Sequence, residues 1–286
     1  MDKILVTGAT GQVGGAMIEA LVARGIPVRA ATRKTTRIRW TDMVQPVVFD
    51  YGDPGLHKAA LSGVSGLFLV APLLDAHAPA KLNPFIDEAG RMGVRHIVFI
   101  SALVADGNDK IPLAKIEAHL KGSGLGYTIL RPNFFMENFT TGFLAAMIAH
   151  GAIHLAAGKG KTSFISVRDI AEVAATAFQQ NLPGTEYNLT GPEALSYTQA
   201  ARTISGVCDR NIIYYDTPEE AMLRGARDLG MPAGALSYLA LLYAAVREGR
   251  ASPITDNVRQ VTGKDPISFA EFARRNAAYW KISKAA

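Results

Sequence analysis

The stretch KILVTGATGQVGGAM, residues 3–17, decides the fold of this chain. Its first apolar residues, Ile4, Leu5 and Val6, are typical of a buried strand. Three glycines follow at intervals of three, and apolar residues then recur at helical spacing, at Val13, Ala16, Met17, Ala20 and Leu21. The stretch therefore predicts a strand that turns on glycine into a helix, as at the start of a βαβ unit.

The glycines Gly8, Gly11 and Gly14 are typical of a loop that binds the pyrophosphate of a dinucleotide. The first permits a tight turn, the second lets the pyrophosphate approach the backbone, and the third lets the helix pack closely on the strand. The free N–H groups and the positive dipole end at the helix N-terminus stabilise bound phosphates. The candidate cofactor site therefore also includes the neighbouring loop residues Thr10, Gln12 and Val13. The alternative is a tight turn with a purely structural role.

Apolar runs alternate with helical patterns as far as Pro132. Runs of this kind belong to parallel strands that are covered by helices on both faces. We therefore predict an α/β protein with a Rossmann-type doubly wound parallel sheet and a small, mostly helical C-terminal lobe. We predict an NAD(P)-binding domain over residues 1–190, in which residues 133–165 contribute to the substrate cleft, and a substrate lobe over residues 191–286.

Two local features of the second half of the chain are also predicted. The segment AIHLAAGKGKTSFISV, residues 152–167, is typical of two short strands around a Gly-Lys turn. Ser196 precedes a helical pattern and is predicted to be the N-cap residue of that helix.

The composition of the 286-residue chain excludes several classes of protein. It is 49% hydrophobic and 19% charged, which suffices for a large core. Its net charge of +5 comes without a Lys/Arg tract interleaved with aromatic residues, so we expect no nucleic-acid partner. MDKILVTG is typical of a strand rather than a signal peptide, no apolar window is long enough to span a membrane, and the single Cys208 fits a reducing compartment. We therefore predict a cytoplasmic protein without a membrane partner, and no metal site, since His150 and His154 have no carboxylate close in sequence.

The end of the second predicted strand indicates which dinucleotide binds. An acid there would bind the ribose 2′-hydroxyl of NAD, whereas an arginine suits the 2′-phosphate of NADP. Here the strand ends in Thr32, Arg33 and Lys34, inside a basic run that contains no acid and comprises Arg24, Arg29, Arg33, Lys34, Arg37 and Arg39. We therefore predict that NADP(H) is preferred over NAD(H). The alternative is that Arg33 lies on a solvated surface.

Residues after three later strands complete the candidate cofactor site. Asp50, at the end of the third predicted strand, is placed to contact the adenine amino group, or else only forms a turn before the segment YGDP, residues 51–54. Ala71 and Pro72 follow the fourth strand, and Ser101 follows the fifth.

Six segments carry a resemblance to a known family: ILVTGATGQVG, FDYGDP, PFIDEAGRMGVRHIVFISA, YTILRPNFFMENF, VRDIAEVAATAF and YNLTGPEALSY. Over almost its whole length the chain resembles the NmrA-like branch of the atypical short-chain dehydrogenases. It is most similar to the subgroup of ergot-alkaloid iminium reductases, triphenylmethane dye reductase and NADPH-dependent quinone reductases. The resemblance implies a Rossmann core, a small C-terminal substrate lobe and a nicotinamide cofactor, and it leaves the substrate open.

Most short-chain dehydrogenases carry a Tyr-x-x-x-Lys pair on the helix after the fifth strand, where the tyrosine protonates a carbonyl oxygen. In this chain the matching positions are Asp109 and Leu113, which cannot perform that role. Lys115 lies nearby, and either reaches the ribose or is a solvated helix residue. Ser101 matches the usual site serine, and either acts in the site or bonds only locally at the strand end. The catalytic residues are therefore left unassigned.

The lack of a tyrosine acid restricts the chemistry. An iminium becomes a neutral amine by hydride alone, and the delocalised anion of a quinone can take its proton from water, whereas a ketone needs an acid or an oxyanion donor. We therefore predict an NADPH-dependent oxidoreductase that reduces a small quinone, iminium or dye-like substrate. The alternative is a non-catalytic NAD(P)-binding redox sensor that binds a protein partner.

The segment NFFMENF, residues 133–139, is predicted to line the substrate site. It follows Arg131 and Pro132 at the carboxyl edge of the sheet, where ligands of such sheets bind. The candidate substrate-binding residues are Asn133, Phe134, Phe135, Met136, Asn138 and Phe139. The alternative is a stripe of core residues, since Phe and Met are usually buried. The sequence leaves the oligomeric state open.

Overall fold

The computed structural model describes residues 3–35 and 41–281. Its strands, in chain order, are β1 (Ile4–Val6), β2 (Val28–Thr32), β3 (Val44–Val48), β4 (Gly66–Val70), β5 (His96–Ile100), β6 (Gly126–Pro132), β7 (Ala152–Leu155), β8 (Lys161–Thr162), β9 (Thr185–Leu189), β10 (Leu195–Ser196) and β11 (Ile213–Asp216). Its α-helices are α1 (Gln12–Val22), α2 (His57–Leu61), α3 (Ala78–Arg91), α4 (Pro112–Gly122), α5 (Phe143–Ala149), α6 (Val167–Gln180), α7 (Tyr197–Cys208), α8 (Glu219–Asp228), α9 (Ala233–Arg247), α10 (Asn257–Thr262) and α11 (Phe269–Arg275).

Seven of these strands form one sheet, in the order β3-β2-β1-β4-β5-β6-β9. β1 lies between β2 and β4 and pairs with both in parallel, and the pairs β2–β3, β4–β5 and β5–β6 are parallel as well. The strand order changes direction at β1, and ligands of such sheets bind outside the carboxyl ends of the strands at this point. The predicted Rossmann-type α/β fold is confirmed.

Helices cover both faces of this sheet. α2, α3 and α4 pack on one face around a core that includes Leu5, Leu67, Leu69, Phe85, Ile86, Phe99, Ile116 and Leu120. α1 and α6 contact each other and strands β1, β2, β5 and β6. α6 lies so close to the sheet that a side-chain carbon at Gly66 would be 2.9 Å from the ring of Phe178. In the parts of the chain that the structure describes, no helix is long and apolar enough to cross a membrane.

The chain divides into two compact units. The first comprises the described residues up to Pro132, with Val167–Asn188 and Gln260–Gly263, and the second comprises Asn133–Ser166, Leu189–Arg259 and the described residues from Lys264 onward. The sequence-based boundary at residue 190 assigned residues 133–165 to the first domain, whereas in the structure they cluster with the second unit.

Two small sheets explain why residues 133–165 belong with the second unit. β7 pairs with β11 in parallel, and β8 pairs with β10 in the antiparallel direction. The two short strands predicted around the Gly-Lys turn are therefore present, but they pair with strands that come later in the chain rather than with each other. β11 itself was not predicted.

The second unit has an aromatic core of its own. The most deeply buried rings in it are those of Phe139, Phe164, Tyr197, Tyr243 and Phe269. The indole Nε1 of Trp280 donates to the carbonyl oxygen of Phe139 at 2.7 Å and ties the end of the described chain to this core.

The start of α7 is as predicted. The Oγ of Ser196 accepts a hydrogen bond from the backbone N–H of Gln199, and the Oε1 of Gln199 accepts one from the backbone N–H of Ser196. This reciprocal pair is a capping box, which satisfies N–H groups that the first helical turn leaves unpaired.

His96, the first residue of β5, is a buried titratable group at the amino edge of the sheet. Its Nε2 lies 2.9 Å from the Oγ1 of Thr128, and its ring packs against the ring of Phe178. Burial disfavours the charged imidazolium and lowers the pKa of His96 from 6.5 to about 4. The folded protein therefore holds this ring neutral at physiological pH.

The lowered pKa of His96 predicts how stability depends on pH. Between pH 6.5 and about pH 4 the unfolded chain binds a proton that the folded chain does not, so the free energy of unfolding falls as the pH falls through this window. Between pH 7 and pH 5 we expect His96 to account for a loss of roughly 1–2 kcal/mol in urea unfolding. The His96→Gln variant should lose less over the same interval, because glutamine does not titrate. An equal loss in the variant would contradict the assignment.

Candidate functional site

Each of the three glycines after β1 has a different structural role. Gly8 has a φ of +62°, in the left-handed region that favours glycine, and forms the turn at the end of β1. Gly11 is exposed and is the N-cap residue of α1. A side-chain carbon at Gly14 would lie 2.2 Å from the carbonyl oxygen of Gly8, so only glycine allows α1 to start this close to the turn.

This loop fits the pyrophosphate of a dinucleotide. The first turn of α1 presents backbone N–H groups and the positive end of the helix dipole. Among the described residues, no side chain caps α1, and its first turn contains no acid. Thr10 is exposed and Gln12 is half-buried, so both are accessible to a ligand, whereas the side chain of Val13 is buried and only its backbone can face one.

Other candidate cofactor residues lie at the carboxyl ends of neighbouring strands. Arg33 and Lys34 follow β2 and are exposed, Asp50 lies just beyond β3, and Ala71 and Pro72 follow β4 and are half-buried. Because these strands are parallel, their carboxyl ends lie at the same edge of the sheet as the glycine loop.

The basic run between β1 and β3 is only partly open to an anion. Arg24 donates to the carboxylate of Glu172 on α6 at 2.9 Å, and Arg29 donates to backbone carbonyl groups at the end of α2. Both guanidinium groups are therefore used inside the protein. Arg37 and Arg39 lie outside the described residues. Within the described part of the run, Arg33 and Lys34 after β2 are exposed at the carboxyl edge of the sheet.

Asp50 and Tyr51 occupy the turn after β3. The Oδ1 of Asp50 accepts a hydrogen bond from the backbone N–H of Gly52 at 2.8 Å, so this residue forms the turn, and it is exposed. The hydroxyl of Tyr51 donates to the carbonyl oxygen of Val70 at 2.9 Å, and burial raises the pKa of this phenol far above its ordinary value. The proton of Tyr51 is therefore committed to the backbone at the end of β4.

A buried network of polar side chains lies at the carboxyl ends of β5 and β6. Ser101, directly after β5, is 5% exposed, and its hydroxyl donates to the carboxylate of Glu117 on α4. Glu117 is 4% exposed and also accepts from the Nε of Arg131, at 2.9 Å and 3.1 Å to its two oxygens. This network of Ser101, Glu117 and Arg131 therefore connects β5, α4 and β6. Sequence reasoning found Ser101 but missed the other two residues.

Further charged groups surround Arg131. Its Nη2 lies 2.6 Å from the Oε2 of Glu186, and its Nη1 lies 3.3 Å from the Oδ1 of Asp106. The Nζ of Lys121 lies 2.6 Å from the Oε1 of Glu186. Burial by itself lowers the pKa of Arg131, but the hydrogen bonds to Glu117 and Glu186 outweigh this effect and raise it. Burial would raise the pKa of Glu186, but its hydrogen bonds to Lys121 and Arg131 lower it. Arg131 and Glu186 are therefore charged at neutral pH.

The sequence does contain a signal for this network. Glu117 stands on the buried side of its helix, beside Ile116 and Leu120, and Arg131 directly follows the apolar residues of the strand segment YTILRP. A carboxylate and a guanidinium in such surroundings need partners, because an unpaired buried charge is very costly. The pairing itself becomes apparent only when α4 and β6 are known to be packed together.

The positions that match the short-chain dehydrogenase pair are separated in the structure. α4 begins at Pro112, so Asp109 precedes the helix and Leu113 lies on it. Lys115 is exposed and stands about 200° around the helix from Glu117, on the opposite side from the buried network. This arrangement favours the solvated-helix alternative for Lys115.

The predicted substrate segment, residues 133–139, belongs to the second unit. The amide of Asn133 is fully engaged there: its Nδ2 donates to the Oγ of Ser163 and the carbonyl oxygen of Ala251, both at 2.7 Å, and its Oδ1 accepts from the N–H of Phe134 at 3.0 Å. Asn133 therefore acts as an internal tie in this unit.

Burial separates the remaining residues of the segment into two groups. Met136 and Phe139 are 1% and 0% exposed and belong to the core of the second unit, as the alternative of a core stripe expects. Phe134, Phe135 and Asn138 are half-buried and remain candidates for substrate contact.

The chain is similar to known proteins over nearly its whole length. Residues 1–264 match the model of the NmrA-like family. The chain is 35% identical to the uncharacterized oxidoreductase YesF of Bacillus subtilis, over 98% of this chain and 96% of that protein. It is 33% identical to the agroclavine dehydrogenase of Claviceps fusiformis, over 97% of this chain and 98% of that protein. The crystal structure of the NADPH-dependent quinone oxidoreductase QOR2 of Escherichia coli with NADPH has a TM-score of 0.82 and 26% identity, over 96% of this chain and 99% of that one.

Removal of Glu117 should destabilise the first unit strongly. Breaking a buried ion pair from one side costs about 3–5 kcal/mol, and the other carboxylates near Arg131 should hold the loss in Glu117→Ala at the lower end of this range. The matched control is Glu220→Ala, because the partner of Glu220, Arg224, is 63% exposed, and we expect a loss of at most about 1 kcal/mol there. Urea unfolding of both variants measures the difference. Similar losses in the two variants would show that the buried network does not stabilise the fold.

Proposed function

The chain belongs to the NmrA-like family, and on that premise we propose that it is an NADPH-dependent reductase of a small electron-poor or cationic organic molecule. The candidate substrate classes are quinones, iminium ions and cationic dyes. The observation that carries this proposal is the glycine loop after β1, whose exposed backbone is suited to an anion and which lies at the same sheet edge as two exposed cations.

The protein is an oxidoreductase. Two relatives that match nearly its whole length are named as an oxidoreductase and a dehydrogenase, and the related solved structure is that of an NADPH-dependent quinone oxidoreductase. The names of the agroclavine dehydrogenase and the quinone oxidoreductase point to chemically different substrates, so the likeness supports the reaction type and no single substrate.

The residues that would hold the cofactor all belong to the first unit. Gly8, Gly11 and Gly14 form the loop for the pyrophosphate, which would accept N–H hydrogen bonds from the first turn of α1. Arg33 offers a planar fork of N–H donors and Lys34 a compact charge to a 2′-phosphate, which supports NADP(H) over NAD(H). When bound, the cofactor supplies the hydride.

The side chains of the first unit favour substrates that need no enzyme acid. α4 carries no tyrosine, and the hydroxyl of Tyr51, at the carboxyl end of β4, already donates its proton to Val70. A ketone needs an acid or oxyanion donors for the charge that develops on its oxygen, whereas an iminium loses its charge on hydride transfer. The protein then needs only to position the substrate and exclude water.

We assign substrate contact to Phe134, Phe135 and Asn138 of the second unit. Half-buried aromatic rings present flat apolar faces, and such faces attract flat, electron-poor or cationic molecules. The second unit, with residues 133–166 and the C-terminal lobe, is therefore the proposed substrate-binding part of the chain.

Replacement of Arg33 tests the cofactor assignment. The Arg33→Ala variant should bind NADPH about tenfold or more weakly and should bind NADH nearly as the parent does, because a hydrogen bond to a charged group contributes about 1.5–3 kcal/mol. Calorimetric titration of both cofactors measures this, with Arg224→Ala on α8 as the control for loss of an exposed cation. Equal affinities of the parent for the two cofactors, or equal losses in the variant, would refute the preference.

A substrate panel tests the reaction. With NADPH, the parent should reduce at least one of a cyclic iminium, a quinone and a triphenylmethane dye, and it should reduce simple ketones about a hundredfold less efficiently or worse. Tyr51→Phe and Tyr127→Phe should each keep a rate close to that of the parent, whereas removal of a general acid lowers the rate by a factor of about 10²–10⁴. NADPH that carries deuterium at the transferred position shows whether hydride transfer limits the rate. Efficient ketone reduction would reveal an acid, and no turnover in any class would refute the proposal.

A further inference from the structure

We propose that Ser101 faces its ligand only as a hydrogen-bond acceptor, so that the position beside it takes an N–H donor and disfavours a carbonyl oxygen. This inference rests on the proposed reductase function. The N–H donor has two possible sources, the carboxamide of the nicotinamide and a protonated nitrogen of the substrate, and the experiments below distinguish them.

The single proton of the Ser101 hydroxyl is committed. Both oxygens of Glu117 accept from the Nε of Arg131, and a guanidinium has donors but no acceptor. Glu117 is therefore a carboxylate, and a carboxylate can only accept. The hydrogen bond between Ser101 and Glu117 consequently uses the serine proton, and only the lone pairs of the serine oxygen are left for a ligand.

Neighbouring residues keep the Ser101 hydroxyl in this orientation, with its proton directed at Glu117. The backbone N–H of Ser101 donates to the carbonyl oxygen of Leu130 at 2.8 Å, which fixes the residue between β5 and β6. Arg131 is fixed in turn by Glu186 and Asp106, so its guanidinium stays against Glu117. The hydroxyl therefore cannot turn its proton to a ligand without removing one of the two hydrogen bonds that the buried Oε1 of Glu117 accepts.

The location of Ser101 gives this polarity a functional consequence. Ser101 directly follows β5, at the carboxyl edge of the sheet where ligands of this fold bind. Charge that develops on a carbonyl oxygen requires donors, and a lone pair at this position would repel it. An N–H group is attracted by the same lone pair. Ser101 thus acts on specificity, and Glu117 is a positioning residue that sets its polarity.

The first experiment tests the cofactor as the source of the N–H group. Calorimetry compares NADPH with its reduced 3-acetylpyridine analogue, in which a methyl group replaces the carboxamide NH2. If the carboxamide donates to Ser101, Ser101→Ala should weaken NADPH binding about twofold to tenfold and leave the analogue unchanged, while Ser101→Thr should keep the parent affinity. The control is Ser65→Ala, a serine just before β4 at the opposite edge of the sheet.

The second experiment tests the substrate as the source. A cyclic iminium that carries an N–H is compared with its N-methylated form, each with NADPH. If the substrate nitrogen donates to Ser101, Ser101→Ala should lower kcat/KM about twofold to tenfold for the N–H iminium and leave the N-methyl iminium unchanged. A selective loss in either experiment supports the proposal and identifies the donor. Equal losses for both members of both pairs, or no loss in any, would overturn it.

The third experiment reverses the polarity of the serine. In Glu117→Gln the new amide can accept from Arg131 and donate its N–H to Ser101, which releases the serine proton toward the ligand. The ratio of kcat/KM for the N–H iminium to that for the analogous ketone should fall about tenfold, an effect that a loss of stability alone would not produce. Thermal unfolding checks that the variant is folded at the assay temperature, and the two Ser101→Ala experiments decide the question if it is not.

These outcomes separate the inference from the proposed function. Binding of NADPH to the parent without reduction of any substrate would refute the proposed function, and the calorimetric pair would then decide the role of Ser101 alone. Failure of the parent to bind NADPH would overturn both.

Discussion

The site depends on how closely α1 approaches the turn after β1. A side chain at Gly14 would collide with the carbonyl group of Gly8, so the helix can start against the strand end only with glycine at that position. This approach directs the N–H groups of the first helical turn to the carboxyl edge of the sheet. Parallel pairing of β1 with its two neighbours then brings the residues after those strands to the same edge. The proposed cofactor site therefore depends first on backbone packing, and the exposed cations after β2 account for the proposed preference for NADP(H).

Sequence patterns predicted the parts of the fold that local periodicity encodes. β4 and β5 are nearly continuous apolar runs, and the cap of α7 is legible as Ser196 followed three residues later by Gln199. The partners of β7 and β8 could not be predicted, because strands of four and two residues have too short a sequence pattern to specify a partner far away in the chain. Residues 133–165 therefore appeared to continue the first domain, although their pairing places them in the second unit.

The candidate functional site could be predicted from the sequence to a similar extent. The glycine spacing is itself the geometry of the turn, so Gly8, Gly11 and Gly14 could be read directly. The pair Glu117 and Arg131 could not, because it exists only once a helix and a strand are packed together. Nor can a sequence distinguish a core phenylalanine such as Phe139 from a half-buried one such as Phe134, since both have the same chemistry and only burial separates them.

The buried network at the ends of β5 and β6 also gives the carboxyl edge of the sheet an electrical polarity. Together with its neighbours Asp106, Glu186 and Lys121, the network has three carboxylates and two cations and so carries one net negative charge, whereas the residues after β2 are positive. β2 and β6 are four strand spacings apart, or about 19 Å. That separation exceeds the Debye length of about 8 Å at physiological ionic strength. In the cell each end therefore attracts its own counter-charge at short range, and only in dilute salt do the two ends act together to align an approaching molecule.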